Sequence, residues 1–165
     1  LLAPRFIPSN KNMIIFLDFD GVLHPNFALR QRSRLWQQLP VFTTFLSQKE
    51  WADCAVVVSS SWRIGRDLAQ LQAIFPPDLR PRIIGTTPIL HTHSRTRGSR
   101  QREIECWLRD FAYPPDAWLA LDDTAWYFDE YCPHLFLCNG QTGLIHADLP
   151  RLHAQLHTLS AKPLP

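Results

Sequence analysis

Two aspartates separated by one residue follow an apolar stretch near the start of the chain. The sequence IIFLDFDGV places Asp18 and Asp20 directly after four apolar residues. A second acidic pair, Asp122 and Asp123, follows the apolar run WLAL, and three serines that begin at Ser59 follow the run AVVV. A single acid after a strand is most often a turn or helix-cap residue. Two acidic pairs and a serine run that each follow an apolar strand indicate a shared site.

Carboxylates gathered in one site need a cation. Two of them about 4 Å apart repel by roughly 4 kcal/mol at an effective dielectric of about 20, so either a cation neutralises them or some stay protonated. The candidate ligands are hard carboxylate oxygens without a histidine pair or a thiolate cluster, which favours Mg²⁺ over zinc. Since carboxylate-bound Mg²⁺ usually serves phosphate substrates, the pattern predicts phosphoryl transfer.

The residue types supply the parts that such a reaction needs. A carboxylate can attack phosphorus to form an aspartyl-phosphate, and an acid two residues away can protonate the leaving oxygen and later activate water. Hydroxyl and N–H groups at Ser59 and Ser60 are suited to hold phosphoryl oxygens. A cation from the stretch RGSRQR, residues 97–102, can balance their charge.

Apolar runs and helical patterns alternate along the chain and must bring these residues together. Strands alternating with helices predict a single α/β domain of Rossmann type, with five parallel strands and helices on both faces. In such sheets the ligand site lies beyond the carboxyl ends of the strands. The predicted strands are residues 13–19, CAVVVSS, PRIIGTT, AWLALDD and HLFLCNG; the predicted helices include WRIGRDLAQLQAIF, residues 148–160, and RQREIECWLRDF with Ile104, Trp107, Leu108 and Phe111 on one face.

Length and composition bound the remaining possibilities. A chain of 165 residues that is 45% hydrophobic buries one core, and we assign the domain to residues 13–160, with residues 1–12 as an extension or leader and 161–165 as a tail. No apolar run approaches the roughly 20 residues of a membrane span, so we expect no membrane partner and a cytoplasmic protein with reduced cysteines. A net charge of +2 does not by itself indicate nucleic-acid binding, and nothing indicates the oligomeric state.

Four motifs occur in a fixed order: DFDGV at 18–22, VVVS at 56–59, a basic residue near Arg100, and LALDD at 119–123. This order resembles that of the haloacid dehalogenase (HAD) superfamily of phosphatases. The stretches SSSWR, REIECWL and GLIHADL are similar to the small HAD domains without a cap that are associated with RNA-repair proteins.

The resemblance implies a role for each matching residue. Asp18 is then the nucleophile and a metal ligand, and Asp20 is the general acid and base whose backbone carbonyl also binds Mg²⁺. Ser59 binds the phosphoryl group, Asp122 binds Mg²⁺, and Asp123 supports the metal site through water or a neighbouring side chain.

The cation of the third motif is usually lysine, but here the chain offers Arg100 or Arg102. We choose Arg100 because it precedes the apolar helical face, and we keep Arg102 as a candidate substrate contact. Arg63, four residues after Ser59, is a further candidate for substrate phosphate, as is Ser60.

Several other residues have two readings each. Trp62 and Trp126 follow two of the motifs and either stack on a base or pack in the ordinary way. His24 either contacts substrate or is a plain loop residue. The basic stretch at residues 91–102 either guides a polyanion or is a solvated loop that carries one catalytic cation.

The spacing of the motifs bears on the substrate. About 38 residues separate Asp20 from Ser59 and about 40 separate Ser59 from Arg100, which leaves no room for a folded cap. An open site suits a phosphate on a bulky substrate, such as a nucleic-acid end or a phosphoprotein. Two alternatives are a HAD-like module that binds phosphate with little turnover, and a phospho-receiver switch, which would carry its adjacent acids after the first strand.

Overall fold

Five short parallel strands form one sheet in the computed structural model, which describes residues 13–90, 96–113 and 118–161. The strands are β1 (Ile14–Leu17), β2 (Ala55–Val58), β3 (Ile83–Thr86), β4 (Trp118–Asp122) and β5 (Leu135–Leu137). Their order is β3-β2-β1-β4-β5 and every neighbouring pair is parallel. This order is that of a Rossmann-type sheet, whereas receiver domains have the order 2-1-3-4-5, so the receiver alternative is excluded.

The central strands are buried on both faces, and all their residues are apolar except Asp122 at the end of β4. All residues of β1, β2 and β4 are buried, and β1 lies between β2 and β4 with both pairings in register. β-Branched and aromatic side chains favour this pleated, enclosed setting. The polar residues that follow these strands therefore emerge together at one edge.

Four helices cover the two faces of the sheet: α1 (Leu39–Leu46), α2 (Leu68–Gln72), α3 (Ser99–Asp110) and α4 (Leu149–Ser160). Helix α3 packs Ile104 and Trp107 against Phe16 on one face. The other three helices pack with Ile15 and Leu17 on the opposite face. The predicted five-stranded α/β fold is confirmed.

Two details of the sequence prediction were wrong. The helix expected from WRIGRDLAQLQAIF begins only at Leu68, because Gly65 takes a left-handed φ of 75° and Asp67 caps the helix through Gln70. The residue Phe111, expected on the buried face of α3, is 61% exposed and lies beyond the helix. Its ring stacks on Trp107 with centroids 4.5 Å apart instead.

The predicted extension, residues 1–12, and most of the predicted tail, residues 162–165, lie outside the described residues. Within the described ranges, no helix is long and apolar enough to cross a membrane. All four cysteines carry free thiols, as expected. The cytoplasmic location stays a prediction.

Candidate active site

The carboxyl ends of the central strands bring the polar motifs together. Asp18 follows β1, Ser59 follows β2, and Asp122 ends β4 just before Asp123. One carboxylate oxygen from each of Asp18, Asp122 and Asp123 lies within 4.8 Å of the others. Because β1 and β4 are adjacent parallel strands, Asp18 meets the pair Asp122 and Asp123 although about a hundred residues separate them.

Arg100 supplies the cation of this cluster. It is the second residue of α3, and its Nη1 donates hydrogen bonds to Oδ2 of Asp18 and to Oδ2 of Asp122. The Arg100 side chain is 12% exposed and its guanidinium lies 5.2 Å from the centre of the Tyr127 ring. Gly98, with a φ of 72°, caps the helix and directs its first turn toward the strand ends.

Burial and mutual repulsion shape the charges of these groups. Burial raises the pKa of Asp18, and the Arg100 guanidinium only partly opposes this effect. Burial and the neighbouring Asp18 raise the pKa of Asp122 to about 7, again against the pull of Arg100. The pKa of Arg100 is raised because its two carboxylate partners outweigh its burial. Both carboxyl pKa shifts favour the protonated form of the acids as long as Arg100 is the cation beside them.

Asp20 stands apart from this cluster and has its own partners. Nε2 of His24 lies 2.9 Å from its Oδ1, and the indole N–H of Trp62 donates to both carboxylate oxygens at 3.2 and 3.1 Å. Burial would raise the pKa of Asp20, but the hydrogen bonds from His24 and Trp62 outweigh it and lower the pKa. Its side chain is 26% exposed, against 8% for Asp18, so Asp20 is the more solvent-accessible of the two acids.

Two hydrogen bonds and two close glycines hold the Asp123 carboxyl group in place. Its Oδ2 accepts a hydrogen bond from the Asn26 amide at 2.5 Å, and its Oδ1 accepts one from the Thr124 hydroxyl at 3.0 Å. A Cβ at Gly21 or at Gly140 would lie 2.4 Å from the Asp123 carboxyl group. Both positions therefore require glycine for the acid to keep its place.

The serines after β2 occupy the floor of the site. Ser59 is 1% exposed and its Oγ has no hydrogen-bond partner among the described residues, an arrangement that normally marks a missing ligand or water. Ser60 is fully buried, its Oγ accepts a hydrogen bond from the Trp62 amide at 3.4 Å, and it lowers the pKa of Asp18 through a side-chain hydrogen bond.

The two other arginine candidates lie differently. Arg63 is held by the carbonyls of Ser60, Thr87 and Pro88 and by the Glu103 carboxylate at 2.7 Å, so four of its five N–H groups are engaged within the protein. Arg102 is exposed, and it donates hydrogen bonds to the Arg97 carbonyl and the Thr96 hydroxyl in the segment that precedes α3. Of the three arginines, only Arg100 touches the acidic cluster.

A comparison of the sequence with models of protein families agrees with the geometry of this site. The model described as the HAD domain in Swiss Army Knife RNA repair proteins matches residues 14–149. The chain belongs to this family. Comparisons with curated proteins and with solved structures found no match. The match spans all five strands and all the acidic residues of the site, which confirms the resemblance drawn from the motifs.

The residues of this HAD domain fit the Mg²⁺ that its superfamily uses. The donors at the cluster are carboxylate oxygens, which suit a hard cation. If Asp18, Asp122 and Asp123 are all ionised, their three negative charges less the one positive charge of Arg100 leave two, which is the charge of one Mg²⁺ ion. The carboxylates keep free lone pairs beside their bonds to Arg100.

Sequence reasoning did not find the contacts that orient the acids of this HAD domain. Trp62 and His24 contact the Asp20 carboxylate, and Asn26 contacts Asp123. Asn26 gave no signal, because it lies 97 positions from its partner in an ordinary turn. Trp62 directly follows the serines, but spacing along the chain does not show which residue it contacts.

Proposed function

We propose that this HAD domain is a Mg²⁺-dependent phosphomonoesterase that forms an aspartyl-phosphate on Asp18 and acts on phosphates at nucleic-acid ends. The observation that carries the proposal is the meeting of three carboxylates and the Arg100 guanidinium at the strand ends. The buried, unpaired hydroxyl of Ser59 lies at the end of the neighbouring strand, where a phosphoryl oxygen would accept its hydrogen bond.

The first step transfers the phosphoryl group to the protein. The Asp18 carboxylate attacks phosphorus, the bond to the leaving oxygen breaks, and Asp20 gives its proton to that oxygen. In the free protein His24 and Trp62 keep the pKa of Asp20 low. A phosphate dianion placed beside Asp20 raises this pKa, so the acid gains the proton that it then donates. Ser59 and Arg100 stabilise the charge on the transferred group.

The second step releases inorganic phosphate. Asp20, now ionised, removes a proton from water, the water oxygen attacks phosphorus, and the bond to Asp18 breaks. Asp18 returns to its starting state and Asp20 is protonated again. The 26% exposure of the Asp20 side chain gives water a route to it, whereas Asp18 is enclosed.

Asp18, Asp122 and Asp123 would hold the metal through their carboxylates, and Asp20 would do so through its backbone carbonyl. When bound, Mg²⁺ would supply two positive charges that balance the acids and allow the negatively charged phosphate to approach them. Glycines 21 and 140 and the bond from Asn26 keep Asp123 turned toward this position.

The proposed substrate class rests on access and on the family. The described residues between β1 and β2 form short 3-10 turns and helix α1, whose Phe42 and Phe45 pack into the main core. This segment therefore belongs to the core domain and does not form a separate cap, which supports an open site. The family is named for RNA repair proteins, which supports a nucleic-acid end over a phosphoprotein as the bulky substrate.

The test is release of inorganic phosphate from 3′- and 5′-phosphorylated oligonucleotides, nucleotides, sugar phosphates and a phosphopeptide, with Mg²⁺ or with EDTA. We expect turnover only with Mg²⁺, fastest on oligonucleotides, and a loss of roughly 10³-fold or more in Asp18→Asn. The matched control is Asp110→Asn, an exposed acid on α3 far from the cluster.

Full activity of Asp18→Asn would contradict the nucleophile assignment. Turnover in the presence of EDTA would contradict the proposed dependence on Mg²⁺. A protein that binds Mg²⁺ and a phosphate analogue but hydrolyses none of these substrates would instead be the HAD-like binding module.

A further inference from the structure

A cavity of about 300 Å³ adjoins the acidic cluster and shares one wall with it. Arg100 lines this cavity and also contacts Asp18 and Asp122. Its volume lies at the lower end of the range of roughly 300 to 1,000 Å³ found for small-molecule sites. A group attached to the reacting phosphate would enter this space first.

Three of the eight residues that line the cavity, Ile64, Ile89 and Tyr127, are apolar or aromatic, and the other five are polar or charged. The isoleucines Ile64 and Ile89 line the cavity and are 59% and 38% exposed. The ring of Tyr127 forms a further wall beneath Arg100. Exposed isoleucines beside an active site are typical of a surface that a ligand covers. The hydroxyl groups of Ser61 and Ser99 can form hydrogen bonds with that ligand.

The charged groups that line the cavity are already paired. The second arginine on its wall, Arg63, bonds to Glu103 at 2.7 Å, with side chains only 6% and 10% exposed. Arg100 is committed to the two aspartates. A second phosphate would therefore find no unpaired cation among the described lining residues. An uncharged group with flat apolar faces and a few polar atoms matches these walls better.

We infer that this cavity, bounded by Ile64, Ile89 and Tyr127, binds the ribose and base of the nucleotide that carries the reacting phosphate. The inference rests on the proposed function and adds a recognition site to it. Apolar and aromatic side chains bind the face of any base, so the site accepts all four bases. Ser61 and Ser99 offer hydrogen bonds to the sugar hydroxyls.

The experiment compares kcat/KM for adenosine 3′- and 5′-monophosphate with kcat/KM for glycerol phosphate, which has no base. One variant is the double substitution Ile64→Ala with Ile89→Ala. The other is Ile89→Trp, which fills the cavity without adding charge. We expect each to lower the ratio of nucleotide to glycerol phosphate efficiency by about tenfold, through KM. Both positions are exposed, so the variants should fold, and thermal melting checks this.

The matched control is Ile145→Ala, an isoleucine that is 36% exposed and lies outside the cavity, and it should leave the ratio unchanged. A phosphotyrosine peptide is included because its ring would also fit. An unchanged ratio in the cavity variants would overturn the inference. So would a wild-type protein that prefers glycerol phosphate or the peptide to the nucleotides.

The failure of the proposed function looks different, because no substrate is then hydrolysed. In that case calorimetry with Mg²⁺ and adenosine monophosphate gives the answer directly. Binding that weakens about tenfold in the cavity variants and not in Ile145→Ala supports the nucleotide site. Equal binding in all variants, or none in the wild type, overturns it.

Discussion

The indole N–H of Trp62 donates hydrogen bonds to both carboxylate oxygens of Asp20, the proposed general acid. Trp62 lies in a short 3-10 turn after β2, and Asp20 lies in the turn after β1. The ring of Trp62 is held in turn by Trp36, with centroids 4.8 Å apart. Orientation of the acid therefore depends on an aromatic cluster that the chain assembles from separate segments.

Trp62→Phe should lower kcat on alkyl phosphates by roughly tenfold, a part of the 10²- to 10⁴-fold that general acid catalysis usually contributes. The loss should be smaller on nitrophenyl phosphate, whose leaving group needs little protonation. Steady-state rates on the two substrates check this. The control is Trp51→Phe, which also removes a buried indole hydrogen bond, here to His153, but contacts no residue of the site. Equal losses on both substrates would argue against a role through Asp20.

Arg100→Met should destabilise the metal-free protein, because it leaves Asp18 and Asp122 buried without a counter-charge. The cost should be about 3 to 5 kcal/mol at pH 8. The pKa of Asp122 is raised from 3.8 to about 7, so its contribution to stability is favourable at acid pH and is lost as pH rises through about 7. The variant should therefore recover stability at pH 5.

Urea unfolding at the two pH values measures this effect. Arg109→Met, which removes an arginine whose side chain is 72% exposed, is the control and should change stability by about 0.5 kcal/mol or less. The same cost at pH 5 and pH 8 would mean that Arg100 acts by packing and not by charge.

Gly21→Ala should weaken Mg²⁺ binding by about tenfold, because the new Cβ would lie 2.4 Å from the Asp123 carboxyl group and displace it. Gly65→Ala is a close control. Gly65 has a φ of 75°, against 73° for Gly21, but nothing lies within 4 Å of its Cβ position. Both variants should lose about 1 to 2 kcal/mol of stability from the left-handed backbone.

Mg²⁺ titrations by calorimetry, with unfolding curves for both variants, separate the two effects. Similar Mg²⁺ affinity in Gly21→Ala and Gly65→Ala would show that Asp123 tolerates displacement or does not take part in metal binding.

Arg63→Met should destabilise the protein by about 3 to 5 kcal/mol, because it leaves the Glu103 carboxylate buried and unpaired. The double variant with Glu103→Gln should recover part of this loss, since the two residues are coupled. KM should change little in the remaining folded protein, because the guanidinium is already occupied. A large rise in KM without a loss of stability would restore Arg63 as a substrate contact.

The sequence was sufficient for the sheet and for the acids. Apolar β-branched runs such as AVVV fold as buried strands, and parallel strands must share one carboxyl edge, so Asp18, Ser59 and Asp122 had to meet. These are local patterns joined by a topological rule, and they need no knowledge of side-chain packing.

The choice between Arg100 and Arg102 was decided by the tertiary structure. Both lie in the first turns of α3, but residues two apart on a helix point in directions about 200° apart. Only the way that Ile104 and Trp107 dock the helix on the sheet shows which arginine faces the acids. The pairing of Arg63 with Glu103, 40 positions away, depends on the same docking.

Sequence alone thus determined which strands form and at which edge their polar ends collect, and it predicted the chemistry of those ends. The tertiary structure decided which cation joins the acids, how Trp62 and Asn26 hold Asp20 and Asp123, and that a cavity opens beside Arg100. The physical reason is the distance along the sequence between the residues that interact. Strand formation follows from neighbouring residues, whereas these contacts join side chains separated by 22 to 97 positions and arise only when the core has packed.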